Sequence, residues 1–264
     1  MRIAIIGTGN LGSSIAKGLI ANKSFTSLYL SDKNTSAVKA FENENYVTIT
    51  NDNVLAVESS DIVIFALQPR HIDKVLESVS SLITSSHVVM SVAAGFEISK
   101  IENSIGSDKN IIRVMPNTAI SIGKSMTCLA ANDKAQDKIE LAKDIFNQLG
   151  TTMVIPEEQI QAATVICASG IAFWMRLVRA TTQGAIQLGF EAHEAHELAL
   201  QTCYGAASLL KESGRHPEEE IDRVTTPSGC TIEGLNEMEH QGLSSSLIKG
   251  INASFEKINQ LKKN

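Results

Sequence analysis

The stretch Arg2-Ile3-Ala4-Ile5-Ile6-Gly7-Thr8-Gly9-Asn10-Leu11-Gly12 decides how the chain is read. An apolar run with strand character leads into Gly-x-Gly-x-x-Gly, and Leu11, Ile15 and Leu19 then step at helical spacing. In a strand-to-helix turn of this kind the glycines have separate tasks: a tight turn, close approach of backbone to a pyrophosphate, and close packing of helix on strand. The pyrophosphate then rests on free N–H groups at the helix N-terminus. The candidate cofactor contacts are Gly7, Thr8, Gly9, Asn10, Leu11 and Gly12. A plain glycine turn has the same spacing. The order strand, glycines, helix and second strand ending in an acid favours the dinucleotide.

That acid is Asp32, in step with Leu28 and Leu30. A carboxylate there accepts hydrogen bonds from the adenosine ribose and repels a 2′-phosphate, which favours NADH. Lys33 beside it softens the repulsion, so NADPH is not excluded and the expected cofactor is NAD(P)H. The other reading of Asp32 is a turn or cap residue before a helix at Thr35.

Outward from this stretch, short apolar runs alternate with helical ones, the pattern of a parallel sheet wrapped by helices. Strands are expected at residues 3–6, 28–30, 62–66, 88–92, 111–114 and 152–155, and their nearly unbroken apolar character predicts burial on both faces. After Pro156 strand-like runs nearly vanish, and Phe173, Leu177, Thr181, Gly184 and Leu188 follow helical spacing. The expected organisation is α/β, with a dinucleotide-binding domain over 1–155 and an all-helical domain over 156–264. Gly189 and Ser213-Gly214 read as helix ends, and Pro217 with three following glutamates as a first helical turn.

Composition narrows the function. A net charge of -6 with no basic cluster leaves no footprint for nucleic acid or an anionic membrane. The longest uninterrupted apolar runs have strand length, so no membrane helix is expected. A strand beginning almost at Met1 leaves no room for a signal peptide, so the expected location is cytoplasmic. Cys128, Cys167, Cys203 and Cys230 are widely spaced and suggest neither zinc nor a disulfide framework. His193-Glu194-Ala195-His196-Glu197 lacks the H-E-x-x-H spacing, so no metal site is expected, and no histidine is nominated as catalytic.

Several segments together resemble pyrroline-5-carboxylate reductases, in matching order over essentially the whole chain. The most telling is Asp222-Arg223-Val224-Thr225-Thr226-Pro227-Ser228-Gly229-Cys230-Thr231-Ile232-Glu233-Gly234-Leu235, similar to a family signature in which Ser/Thr-Pro-Gly-Gly leads through a threonine into a helix. Phe65-Ala66-Leu67-Gln68-Pro69, Ala93-Ala94-Gly95 and Arg113-Val114-Met115-Pro116-Asn117-Thr118 also match. The resemblance implies a Rossmann-type domain followed by a helical dimerisation domain, a homodimer or an assembly of dimers, and a small-molecule substrate held at the subunit interface. It implies NAD(P)H-dependent reduction of 1-pyrroline-5-carboxylate to L-proline. It further implies cofactor contacts at Asn53 near the adenosine, at Ala66, Leu67 and Gln68 beside the nicotinamide half, and at Ala94. The chain departs from the family at Gln68, where lysine is usual, at residues 167–173, where Cys167 stands for a serine, at Arg179 and Gln183, and at Ser228 in place of a glycine.

A cyclic imine bearing a carboxylate needs an anion cradle, a polar contact to nitrogen and a hydride donor. The segment 226–231 suits the first two, with Thr226, Gly229, Cys230 and Thr231 as substrate contacts. The N–H groups of Gly229, Cys230 and Thr231 are expected to form a small nest at a helix N-terminus. Thr231 is nominated to meet the ring nitrogen, its alternative role being a simple N-cap. Two other readings stay open: a different two-domain NAD(P)-dependent reductase, or a dinucleotide-binding regulatory paralogue without catalysis.

Overall fold

The computed structural model describes residues 1–23 and 25–262. The chain divides into two compact units, Met1–Ala168 with the chain from Ile258 onward, and Ser169–Lys257. The sheet ends at Val154, close to the expected boundary at 155, and the first unit continues past it.

The first unit is built on one sheet with strands β1 (Arg2–Ile6), β2 (Ser27–Ser31), β3 (Val47–Thr50), β4 (Ile62–Phe65), β5 (Val88–Ser91), β6 (Asn110–Met115), β7 (Ser125–Ala131) and β8 (Gly150–Val154). Their order is β3-β2-β1-β4-β5-β6-β7-β8. The helices are α1 (Asn10–Asn22), α2 (Asn53–Glu58), α3 (Pro69–Val79), α4 (Ile98–Ile105), α5 (Ile139–Phe146) and the short α6 (Ile160–Ala163). Alternation along β1 sends Ile3 and Ile5 to one core and Ala4 and Ile6 to the other. The first core is closed by Ile15 and Leu19 of α1 and Ile145 and Phe146 of α5, the second by Ile72 and Leu76 of α3 and Ile101 of α4. Both faces of the central strands are therefore buried, as their unbroken apolar sequence requires.

Three expectations need correction. The sheet is parallel only from β3 through β6, because β7 runs antiparallel to β6 and β8 parallel to β7. Strands β3 and β7 were not anticipated: β3 is a four-residue edge strand, and β7 (Ser-Met-Thr-Cys-Leu-Ala-Ala) is rich in small residues with weak strand preference. The helix expected at Thr35 is a 3-10 segment over Ser36–Phe41.

One buried ion pair ties the sheet to the chain leaving it. Arg113 on β6 is 2% exposed, and its Nη1 lies 3.2 Å from Glu157 Oε1. The same carboxylate oxygen accepts the Ile98 N–H at 2.7 Å, holding the start of α4. Arg113 Nε is buried without a hydrogen-bond partner, so Glu157 is the group that offsets this charge. Removing one member of a buried pair leaves the other uncompensated, at a cost of about 3 kcal/mol. Glu157→Ala is expected to lower stability by about that amount in urea unfolding, with Glu157→Gln intermediate because it retains an acceptor for Ile98. A wild-type midpoint in Glu157→Ala would show the pair to be energetically idle.

The second unit is helical, with α7 (Gly170–Gln187), α8 (Ala192–Ser213), α9 (Pro217–Val224), α10 (Cys230–His240) and α11 (Leu243–Lys262), whose last turns count with the first unit. Its helix ends follow the sequence signals. Gly189 has φ 102° just beyond α7, and Gly214 has φ 63° and closes α8. Glu191 and Glu194 form a reciprocal capping box at the start of α8, in the His193–Glu197 stretch. Pro217 opens α9 behind the His216 cap, but Glu220 is no solvated dipole partner: it is 8% exposed and meets Arg215 at 3.2 Å and Arg223 at 3.4 Å.

Many large apolar side chains of this unit are left open in the single chain, among them Trp174 (61% exposed), Met175 (64%), Leu188 (83%) and Tyr204 (62%). By length and composition alone, one helical run among the described residues, Glu157–Gln187, is long and apolar enough to cross a membrane, with 22% of its most apolar window buried. Apolar runs interrupted by Ala, Thr and Ser conceal that length when strictly uninterrupted stretches are counted.

Candidate active site

In the first unit, the strand order reverses between β1 and β4, and the loops following the carboxyl ends of these strands frame the crevice where open α/β sheets bind ligands. Gly7 continues β1 with φ 98°, and a Cβ there would lie 2.5 Å from the Ala66 carbonyl oxygen. A Cβ on Gly12 would lie 1.9 Å from the Gly7 carbonyl oxygen. These two glycines are demanded by the fold. Gly9 is different: its φ is -65° and a Cβ would meet nothing within 4 Å. The fold leaves that space open, so no packing constraint of the chain itself accounts for the glycine.

Gly9 is also the N-cap of α1, with no side-chain capping bond and no acid in the first turn. The first helical bond runs from Ser13 N–H to Gly9 O at 2.9 Å, so the N–H groups of Asn10, Leu11 and Gly12 have no helical partner. A dipole end with free donors and no acid in its own first turn fits a diphosphate.

Asp32 follows β2 at the rim of this crevice. Its Oδ2 accepts the Thr8 N–H at 2.6 Å and its Oδ1 accepts the Asn34 N–H at 3.0 Å. The turn role weighed from sequence is therefore present, and the same carboxylate lies against the glycine loop with further lone pairs for hydroxyl donors. Asn53, first residue of α2, accepts the Ser31 hydroxyl at 2.7 Å, which sets its amide beside Asp32. Thr8 is 1% exposed and its hydroxyl is buried without a partner, so it contributes backbone to the site.

Ala66, Leu67 and Gln68 lie in the loop after β4, and Ala94 is exposed in the loop after β5. The sheet thus gathers all the sequence-nominated cofactor residues along one edge. Gln68 is the N-cap of α3 with no side-chain capping bond, and it is exposed. A cavity of ≈ 400 Å³ opens beside it, lined by Pro69, Arg70, Asp73, Ala94, Phe96 and Lys100 among others. Two cationic residues of this lining, Arg70 and Lys100, were not nominated from sequence.

In the second unit, the segment before α10 is a tight turn. Gly229 N–H donates to Thr226 O at 2.9 Å, Pro227 holds the first corner, and Ser228 has φ 56°. Proline followed by a positive φ is the pattern of a type II turn, which favours glycine at that second corner. The nest is shifted by one residue from the one expected from sequence, because the Gly229 N–H is used within the turn. The donors left at the helix start are the N–H groups of Cys230, Thr231 and Ile232. A Cβ on Gly229 would lie 2.3 Å from Thr226 Oγ1, so Thr226 packs directly over the glycine. Thr231 is not the N-cap, since Gly229 occupies that place and no side chain caps the helix. Thr231 is half-buried in the first turn, and its hydroxyl has no hydrogen-bond partner among the described residues.

The comparisons with known proteins agree on both halves. Residues 2–95 match the family model "NADP oxidoreductase coenzyme F420-dependent", and residues 157–261 match "Pyrroline-5-carboxylate reductase dimerisation". Pyrroline-5-carboxylate reductase 2 of Dictyostelium discoideum is 40% identical, with 97% of this chain and 91% of that protein covered. The chain belongs to the pyrroline-5-carboxylate reductase family. Pyrroline-5-carboxylate reductase 1 of the same organism is 46% identical over 97% of this chain, which spans about half (49%) of that longer protein. The solved pyrroline-5-carboxylate reductase of Coxiella burnetii superimposes with a TM-score of 0.93 at 29% identity, covering 98% of each chain. Among pyrroline-5-carboxylate reductases the Pro-Gly-Gly corner is explained by the backbone seen here: Ser228 occupies a left-handed position that glycine adopts without strain.

Proposed function

We propose that this protein reduces 1-pyrroline-5-carboxylate to L-proline with NAD(P)H. The observation that carries the reading is the end-to-end agreement with a pyrroline-5-carboxylate reductase, 40% identical over 91% of that protein's length. The local geometry supports it. Residues 1–155 are read as the dinucleotide-binding domain, with the glycine loop at the pyrophosphate, Asp32 and Asn53 at the adenosine, and Ala66, Leu67, Gln68 and Ala94 at the nicotinamide half. Residues 156–264 are read as the substrate-binding and dimerisation domain.

The cofactor, when bound, supplies the hydride. The protein's own part is to bind, orient and stabilise charge. The N–H groups of Cys230 and Thr231 receive the substrate carboxylate at the positive end of α10. Thr226 and Gly229 shape the turn beneath it, and the Thr231 hydroxyl meets the ring nitrogen. The exposed apolar faces of α7 and α8 are assigned to a second copy of the chain, in a homodimer or an assembly of dimers, with a cytoplasmic location.

Turnover of the imine by purified protein with NADH and with NADPH, alongside light scattering, tests the proposal. Absence of turnover in a folded dimer that binds the dinucleotide would favour a regulatory role instead. The carboxylate at the end of β2 gives a further expectation. NADH is used at least as efficiently as NADPH, and Asp32→Ser moves the kcat/KM ratio toward NADPH by roughly tenfold. A strong wild-type preference for NADPH would move the ribose contact away from Asp32.

A further inference from the structure

Three of the four cysteines have no part in the proposed site, and two of these share one small apolar cluster. Cys128 on β7 is 2% exposed, and Cys167 is half-buried; both pack with Met115, Ala130 and Ile160. Both side chains belong to the same packing cluster, and each thiol shifts the acidity of the other. Cys203 and Cys230 lie in the second unit, on α8 and α10.

The placement of Cys167 has a local cause. Residues Thr164–Ser169 form a π-helical turn, which loosens the ordinary ladder of the helix. The carbonyl of Cys167 accepts a hydrogen bond from Asn117 Nδ2 at 3.1 Å, and Asn117 is itself 8% exposed and fixed through Ser125 Oγ at 3.0 Å. The wide turn is thereby pinned to the loop after β6, with the Cys167 side chain against β7. The neighbouring Cys128 thiol lowers that of Cys167 to about 7 despite its burial, and the same pairing, with burial, pushes Cys128 up. One sulfur is poised as the nucleophile and the other as the proton-bearing partner.

We infer that Cys128 and Cys167 form a modification site, a dithiol that closes to a reversible disulfide when a hydroperoxide reaches Cys167. The Cys167 thiolate attacks a peroxide oxygen, the O–O bond breaks, and the released hydroxide takes up a proton and leaves as water, giving the sulfenic acid. The Cys128 sulfur then attacks Cys167 and gives up its proton, the S–S bond forms, the S–O bond breaks, and a second water leaves. Two thiols are oxidised by two electrons in total and one hydrogen peroxide is reduced to two waters. Cys128 lies in the same small cluster, so it is the thiol placed to trap the sulfenic acid before further oxidation. The serine usual at this position in the resembling family cannot do this.

The test uses the full chain treated with a few equivalents of hydrogen peroxide, followed by thiol counting and peptide mapping without reductant. The expected result is loss of two of the four free thiols, a peptide pair linked through Cys128 and Cys167, and recovery of both thiols with dithiothreitol. Cys167→Ser, treated identically, is expected to keep its three remaining thiols; if that variant does not fold, Cys128→Ala serves, with no linked pair expected. The inference is overturned if wild-type protein keeps all four thiols, if Cys167 passes only to sulfinic acid, or if the linked pair contains Cys203 or Cys230.

Discussion

Thr231→Ala is expected to lower kcat/KM for pyrroline-5-carboxylate by roughly 100-fold, about 2.7 kcal/mol of lost transition-state stabilisation. Thermal stability and dinucleotide affinity are expected to stay at wild-type values. The separation is possible because Gly229, not Thr231, caps α10, so the hydroxyl can be removed without costing the helix its cap. Without that geometry an N-cap loss of about 1 kcal/mol would have to be disentangled from the catalytic effect. Thr231→Ser retains a hydroxyl and should recover most of the activity, whereas Thr231→Asn, which places its polar atoms elsewhere, should not. Steady-state kinetics of the three variants beside melting curves decide the matter. Near wild-type kcat/KM in Thr231→Ala would remove the residue from the substrate cradle.

Gly9→Ala and Gly12→Ala are expected to fail in opposite ways, although both break the same motif. At Gly9 the backbone is in an ordinary extended conformation and the space beyond it is open, so the variant folds with a wild-type melting temperature. Its methyl group projects where the pyrophosphate approaches, and dinucleotide Kd should rise by roughly 100-fold, about 2.7 kcal/mol. At Gly12 a Cβ would overlap the Gly7 carbonyl oxygen at 1.9 Å, so helix and strand must separate and the fold itself should be lost or badly weakened. Titration of cofactor fluorescence together with thermal melts distinguishes the two. Unchanged affinity in a stable Gly9→Ala protein would mean that the diphosphate lies elsewhere.

The cofactor crevice was legible in the sequence because its logic is local. Strand, glycines, helix and Asp32 lie within about thirty residues, and each glycine announces a backbone need. Legibility failed where a role depends on a partner far along the chain. Arg113 and Glu157 are 44 residues apart and look like unrelated charges until β6 is laid against the exit from β8. Likewise Cys128 and Cys167, 39 residues apart, carry no C-x-x-C signal, and only the antiparallel placement of β7 brings the π-helical turn to it. β7 escaped notice because Ser125, Cys128, Ala130 and Ala131 are small, and its place in the sheet comes from tertiary packing rather than intrinsic preference. At the second site the motif identified the segment but not its hydrogen bonds. The nest was placed one residue too early, because the turn consumes the Gly229 N–H and the Ile232 N–H is left in its stead.

The Arg113 and Glu157 pair also sets an order of events during synthesis. A ribosome extrudes the chain from the N-terminus, and the eight strands end at Val154, before the glutamate emerges. At that moment the whole sheet is available, yet closing it would seal the Arg113 guanidinium inside with no counter-ion. The N-terminal start of α4 would likewise lack the acceptor for Ile98 N–H. Consolidation of this sheet is therefore expected only once Glu157 has cleared the exit tunnel.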